Sequence, residues 1–292
     1  NLIIFQEYKV NRALIDKDAI YTAEGQPLTT NSNLVIGQIQ SYAGEYGIAT
    51  NPESFAVYGY RKYFTDANKS TVMRLSQDGL TEISSYGMFD YFRDNLSLSN
   101  LGNLGKLIGG WDIHSKQYVL SIQPTIGKAT GERAVTLSFD EKVNGWTSFA
   151  SYIPAQMFSL DNRFYTFNLT GDLYQHYSEN VNRSHFYGSN NNSTVTTIFN
   201  TQPSMSKTFK TVNYEGDNKW TLSTFTTYLT DVNDTANSIS AYSVPTTLAN
   251  MEAALLQNTF KAKEDKYFAN LVNTSPVNAG EVIYGADISG VK

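Results

Sequence analysis

The residues best equipped for chemistry in this 292-residue chain are its carboxylates. Asp140 and Glu141 adjoin in "FDEKVNGW", and two acids facing one sugar bond are what glycoside hydrolysis requires. Neighbouring residues of a strand point to opposite faces, so this pair is not expected to share a substrate. Asp66 in "FTDANKS" and Glu7 in "FQEYKV" stand in similar surroundings: an aromatic, a gap, an acid, a short turn and a second strand. A carboxylate at such a corner can accept backbone N–H groups. A thrice-written acid is a better building device than a unique catalyst, and these residues read as structural. "WDIHSKQY" at Trp111 is a looser relative of the same pattern.

The other candidates are weaker. "SQDGLTEI" holds Ser76, Asp78 and Gly79 but lacks the spacer and Trp of the Ser-x-Asp-x-Gly-x-x-Trp box of sialidase-type propellers, so it reads as a plain hairpin. His114, His176 and His185 form no HExxH or close pair, which argues against zinc. "DVNDTANS" (231–238) resembles a calcium loop only faintly, with Ala236 at the sixth position and Tyr242 at the twelfth. "NLGNLGKLIGG" lacks phosphate-loop spacing, and no Gly-x-Ser-x-Gly elbow anchors a serine triad. Glycosylation sequons at Asn68, Asn168, Asn182, Asn191, Asn192, Asn233 and Asn273 matter only in a secreted eukaryotic protein. The expectation is no catalytic, cofactor-binding or metal site and no cofactor.

The elements that carry these residues are strands. The chain has 20 Tyr and 16 Phe but only 17% charged residues, and its surface vocabulary is Asn, Ser and Thr. Aromatic and β-branched side chains suit a pleated surface, and Asn and Ser suit corners. Most of the rings are expected in the core; exposed Tyr and Trp stacking on sugars is the alternative. Turn signals recur every 8 to 12 residues or so, the spacing of a sandwich or propeller. The reading is all-β: a β-propeller-like body of antiparallel hairpin blades with few short helices. Residues 1–187 hold the hairpin repeats. Residues 188–292 form a further β segment with an Asn/Ser/Thr-rich loop and one short helix, possible completion of the same domain. "MFDYFRDNLSL" and "LANMEAALLQNTF" (248–260) are the helix candidates, and 97–110 is expected to be loop.

Bulk properties narrow the partners. A net charge of −5 with scattered Lys and Arg excludes a phosphate-gripping surface, while DNA can pass without sticking. There is no cysteine, hence no disulfide or thiolate metal site, and no apolar run approaches the ~20 residues of a membrane-spanning helix. The chain opens at Asn1 without a start Met and ends at "DISGVK", so it is expected to be cut from a longer polypeptide or processed at one end.

"NPESFAVYGYRKYFTD", "RLSQDGLTEIS", "GGWDIHSKQYVLSI", "TLSFDEKVNGWTSF", "FKTVNYEGDNKW" and the closing "GEVIYGADISGVK" follow one another in this order. Together they resemble the large tail structural proteins of tailed bacteriophages, the nozzle or muzzle type of crAss-like and marine phages, with 188–206 the least typical stretch. The resemblance implies a non-enzymatic virion protein of the tail. It would be a propeller-bearing subunit of a homo-oligomeric ring, a hexamer, lining the conduit for genome ejection beside other tail proteins. Alternatives are a receptor- or glycan-binding tail protein that meets a host surface glycan, or a polysaccharide depolymerase.

Overall fold

The computed structural model describes residues 1–21, 27–97, 101–102, 105–125, 134–198, 201–202, 204–205, 207–209, 211–216, 261–264, 266–270 and 288–290. The chain divides into two compact units, Asn1–Thr194 and Val195–Lys292.

Unit 1 is a succession of antiparallel sheets in chain order. The first joins β1 (Leu2–Phe5), β2 (Val10–Tyr21) and β3 (Pro27–Ser41), with β2 central. The second is a four-stranded meander of β4 (Ala56–Tyr58), β5 (Arg61–Asp66), β6 (Thr71–Ser76) and β7 (Gly79–Glu82). After the helix α1 (Phe89–Asn95) comes a second such meander, β8 (Lys106–Asp112), β9 (Gln117–Gln123), β10 (Val135–Asp140) and β11 (Gly145–Ala150). The fourth sheet is three-stranded, β12 (Gln156–Leu160), β13 (Arg163–Phe167) and β14 (Leu173–Gln175), followed by the short pair β15 (His185–Phe186) and β16 (Ser189–Asn190).

Period-two alternation explains how these sheets associate, because successive side chains serve opposite faces. In β5, Tyr63 joins a core shared with the third sheet, while Phe64 joins a core shared with Phe5 and Val10 of the first. In β8 and β9, Leu107, Trp111, Tyr118 and Leu120 face the second sheet, whereas Ile108 and Val119 face Met157 and Phe164 of the fourth. The second and third sheets are therefore apolar on both faces, and three core layers separate four sheets. Each fully buried aromatic contributes about 2–3 kcal/mol of transfer free energy, so this stack dominates the stability of the unit. Phe92 and Leu96 of α1 are fully buried in the layer between the second and third sheets, where Phe92 meets Trp146 at 4.6 Å.

Two glycines set the spacing. A Cβ on Gly109 would lie 1.9 Å from the carbonyl oxygen of Ser54, and one on Gly110 would lie 2.7 Å from Cβ of Met157. Adjacent residues on opposite faces thus let β8 approach both neighbours at once. The expectation of a loop over 97–110 is corrected accordingly: from Lys106 this stretch is strand, and its glycines serve close packing, not a turn.

In unit 2, β17 (Lys207–Phe209) pairs with β21 (Ile288–Gly290), and β18 (Thr211–Glu215) pairs with β20 (Lys266–Asn270), which also pairs with β19 (Lys261–Lys263). The hairpin expected in "KAKEDKYFANLVN" is the β19–β20 pair. Tyr214 stacks on Tyr267 at 4.9 Å, and Lys266 meets Glu215 at 2.7 Å. The helix expected at 248–260 and the candidate calcium loop at 231–238 lie outside the described residues.

The described residues are mostly β in small antiparallel sheets, with α1 the one α-helix among them. No closed propeller is present among them. Closure takes about four to eight four-stranded blades, and unit 1 contains two four-stranded meanders and a three-stranded one.

Candidate functional site

Asp66, Asp112 and Asp140 each end the first strand of a hairpin and each precede a four-residue turn. The register is the same in all three: Asp66 pairs with Thr71, Asp112 with Gln117 and Asp140 with Gly145. The fourth turn residue has positive φ each time, Ser70 at 55°, Lys116 at 58° and Asn144 at 48°. Each carboxylate ties its own turn. Lys69 N–H donates to Asp66 at 3.2 Å, His114 and Ser115 N–H donate to Asp112 at 2.9 and 3.3 Å, and Lys142 N–H donates to Asp140 at 2.7 Å. These bonds replace the ladder contacts that the chain loses on reversing direction. Asp66 is also fully buried and accepts the Gly47 N–H at 3.0 Å, which pins the loop after the first sheet.

The alignment read from sequence needs two corrections. The Trp111 hairpin, taken as a looser relative, is a full copy through Asp112. Glu7 is not a copy: it sits inside the Gln6–Lys9 turn, where its backbone carbonyl accepts the Ala49 N–H at 3.1 Å. A sharper signal was Asp followed after three residues by a residue able to adopt positive φ.

Glu141 has a separate task. It reaches from the third sheet to the second, accepting the Tyr63 hydroxyl at 2.6 Å and the Arg74 guanidinium at 2.6 Å. Both charged side chains are nearly buried, 11% exposed for Glu141 and 14% for Arg74. Burial and the adjacent carboxylate push the Tyr63 hydroxyl far above its usual range, which keeps it neutral. Tyr63 lies in a column of rings, stacked on Trp111 at 5.4 Å and on Tyr118 at 4.9 Å, with Tyr58 over Trp111 at 4.4 Å. Asp140 and Glu141 therefore hold different partners, one in its own turn and one across the sheets.

The densest polar cluster lies between the third and fourth sheets. Asp112 accepts the Tyr177 hydroxyl and the Ser115 hydroxyl, the latter at 2.7 Å. His114 stacks on Tyr177 at 3.9 Å. His176 packs against Tyr152 and Phe164 and exchanges a hydrogen bond of 2.8 Å with Thr166, whose hydroxyl accepts that of Tyr187 at 2.8 Å. Burial lowers the His176 pKa to about 4 against a smaller opposing pull from Asp112, so its ring is neutral near pH 7. Burial likewise raises the Tyr152 and Tyr177 hydroxyls. The tyrosines are poor bases and His176 a weak one. The cluster has Asp, His and Tyr but binds them to one another, which makes it a cross-link between sheets. Sequence reading missed it because its members come from three separate hairpins.

The remaining candidates are placed simply. Ser76 and Gly79 pair across the two-residue turn that joins β6 to β7, and Asp78 is exposed at that turn. His185 meets Asn190 at 2.7 Å, away from the other histidines in the bonding pattern. Asn168, Thr170 and Asp172 close one exposed loop on itself, and those bonds lower the Asp172 pKa. Among the described residues no group of three or more His, Asp or Glu could hold a metal ion, and no helix is long and apolar enough to cross a membrane.

Residues 181–274 match the family model of the Crassvirus muzzle protein C-terminal domain. The match starts just before β15 and β16 and runs through β17–β20. It includes the Asn-rich 188–206 stretch expected to be least typical, and the motifs quoted from residues 52–149 lie outside it. No curated protein matches the chain.

Proposed function

We propose that this chain is a non-enzymatic structural subunit of a bacteriophage tail, of the muzzle type, forming part of the wall through which the genome leaves. The observation that carries this reading is the match of residues 181–274 to the Crassvirus muzzle protein C-terminal domain. The subunit belongs to the virion tail, in a homo-oligomeric ring of six beside other tail proteins. Such a ring needs heterologous, head-to-tail contacts.

Unit 1 has the mechanics such a wall requires. Its sheets are locked by buried rings, by the Glu141–Arg74 ion pair and by carboxylate-tied turns. Successive meanders buried on both faces, with the leading strand of one beside the leading strand of the next, are the packing of propeller blades. Ser159 of β12 illustrates this, its hydroxyl donating to the Trp111 carbonyl of β8 at 2.5 Å. On this reading the sheets are blades of a propeller completed elsewhere in the polypeptide or assembly. A net charge of −5 lets DNA slide past without the phosphate contacts that release counterions.

The exposed Tyr60 (78%) and the half-exposed Tyr58 beside it favour one second reading, a tail protein that contacts a host surface glycan. Mass spectrometry of purified intact particles tests the primary proposal. The chain is expected in the particle and in isolated tails; its absence from both overturns the assignment.

A further inference from the structure

The sheets at the two ends of unit 1 differ from those inside it. At one end, β2 and β3 continue past β1 as a two-stranded ribbon, paired from Ile15↔Ile36 out to Tyr21↔Pro27. A two-stranded ribbon is marginal in water unless something supports it. At its root Val35, Ile36 and Ile39 are 73%, 52% and 57% exposed. Val35 and Ile36 are consecutive in a strand and so point to opposite faces, which leaves both faces of the ribbon uncovered. The edge strand β3 is 15 residues long and contains no charged residue. Natural sheets blunt such edges with charge or cover them.

At the other end, register places Phe158, Tyr165, Phe167 and Leu173 together on the outer face of the fourth sheet, with Leu160 at its rim. Phe158 stacks on Tyr165 at 5.6 Å, while Leu160 and Leu173 are 64% and 54% exposed. Inside the stack, every comparable face is covered by the next sheet.

We infer that the β2–β3 ribbon of one copy of this chain lies on the outer face of the fourth sheet of a second copy. Each copy carries both an uncovered aliphatic ribbon and an uncovered aromatic face, so a second copy supplies what the first lacks. The footprints agree: the ribbon is about 25 Å long and about 10 Å wide, and the fourth-sheet face is about 17 Å by 14 Å, each roughly 250 Å². That is less than the ~800 Å² per partner of a stable pairwise interface. The contact suits a closed ring, where every subunit makes it twice. It joins different surfaces on the two copies, as a heterologous interface must. The inference rests on the ring proposed above and names the surfaces that build it.

The absence of cysteine from the chain makes the test clean. The full-length variants Val35→Cys and Leu173→Cys are prepared singly and mixed, then treated with a short bis-maleimide. A double variant is treated in parallel, and native mass spectrometry reports the oligomer of each. The inference predicts cross-linked dimers in the mixture at least fivefold above either variant alone, and a ladder of covalent oligomers from the double variant. An oligomer of normal size without these cross-links overturns the ribbon contact and leaves the ring intact. Cross-linking of Val35→Cys alone shows like-to-like pairing and also overturns it. A monomer without cross-links at tens of micromolar overturns the contact and counts against the ring as well. Unchanged melting of each variant confirms that the substitutions leave the fold in place.

Discussion

The interior of the sheet stack and its two ends obey different rules. Between the second and third sheets, each polar group of the Ser54 and Glu141 contacts has a specified partner. Ser54 accepts the Thr65 N–H and the Tyr118 hydroxyl while standing against Gly109, and Glu141 spans to Arg74 and Tyr63. At the ends, aliphatic and aromatic side chains face outward with few polar anchors. Stability is concentrated inside, and capacity for assembly lies at the ends.

Substitutions can break this contrast. Gly109→Ala is expected to be the most damaging, because the new methyl would meet backbone at Ser54 and not a side chain that can move. A loss of about 4 kcal/mol or failure to fold is predicted from denaturant titration. Val35→Asn at the exposed end should change monomer stability by less than about 0.5 kcal/mol. Comparable losses at the two positions would erase the distinction.

Glu141→Ala leaves Arg74 nearly buried without its carboxylate and the Tyr63 hydroxyl without its acceptor. A destabilisation of about 3 kcal/mol is expected, read as a lowered urea midpoint with an unchanged slope. A midpoint within error of the parent would show that this pair is not holding the sheets.

The His176 cluster gives a pH test. Its folded pKa is depressed to about 4 from 6.5, so between these values the unfolded chain binds a proton that the folded chain does not. The contribution is fully present above about pH 6.5 and is lost as pH falls towards 4, by about 2–3 kcal/mol in total. Urea titrations across that window should show the fall, and His176→Gln should flatten it. An unaltered slope in the variant would assign the pH dependence to other groups.

The smallest contrast compares two self-tied carboxylates. Asp112→Ala should cost about 2 kcal/mol, since buried N–H and hydroxyl donors lose their acceptor. Asp172→Ala, in a loop open to water, should leave the melting curve in place. Equal effects would mean that turn geometry, and not burial, sets the value of these acids.

Much of this was legible before any coordinates. Alternating apolar runs around "DANKS" and "EKVN" announced hairpins, and the recurring acid announced a turn device and not a catalyst. The short helix at Phe89 followed from rings at 89 and 92 on one face. Less was legible where the decisive partner lies far along the chain. Glu141 looked like half of a carboxylate pair because its partners, Tyr63 and Arg74, are 78 and 67 residues away. Gly109 and Gly110 looked like loop because glycine marks both turns and close approaches, and only the neighbouring sheets distinguish the two. The resemblance to phage tail proteins gained its support at residues 181–274, whereas the clearest hairpin repeats lie before them.

Reconstruction of the intact tail by electron cryomicroscopy tests the central claim most directly. Several copies of this chain should surround the tail axis, each with its four-sheet stack intact and Asp66, Asp112 and Asp140 closed on their own turns. A single copy with no axial neighbours, or a saccharide held between Asp140 and Glu141, would contradict it.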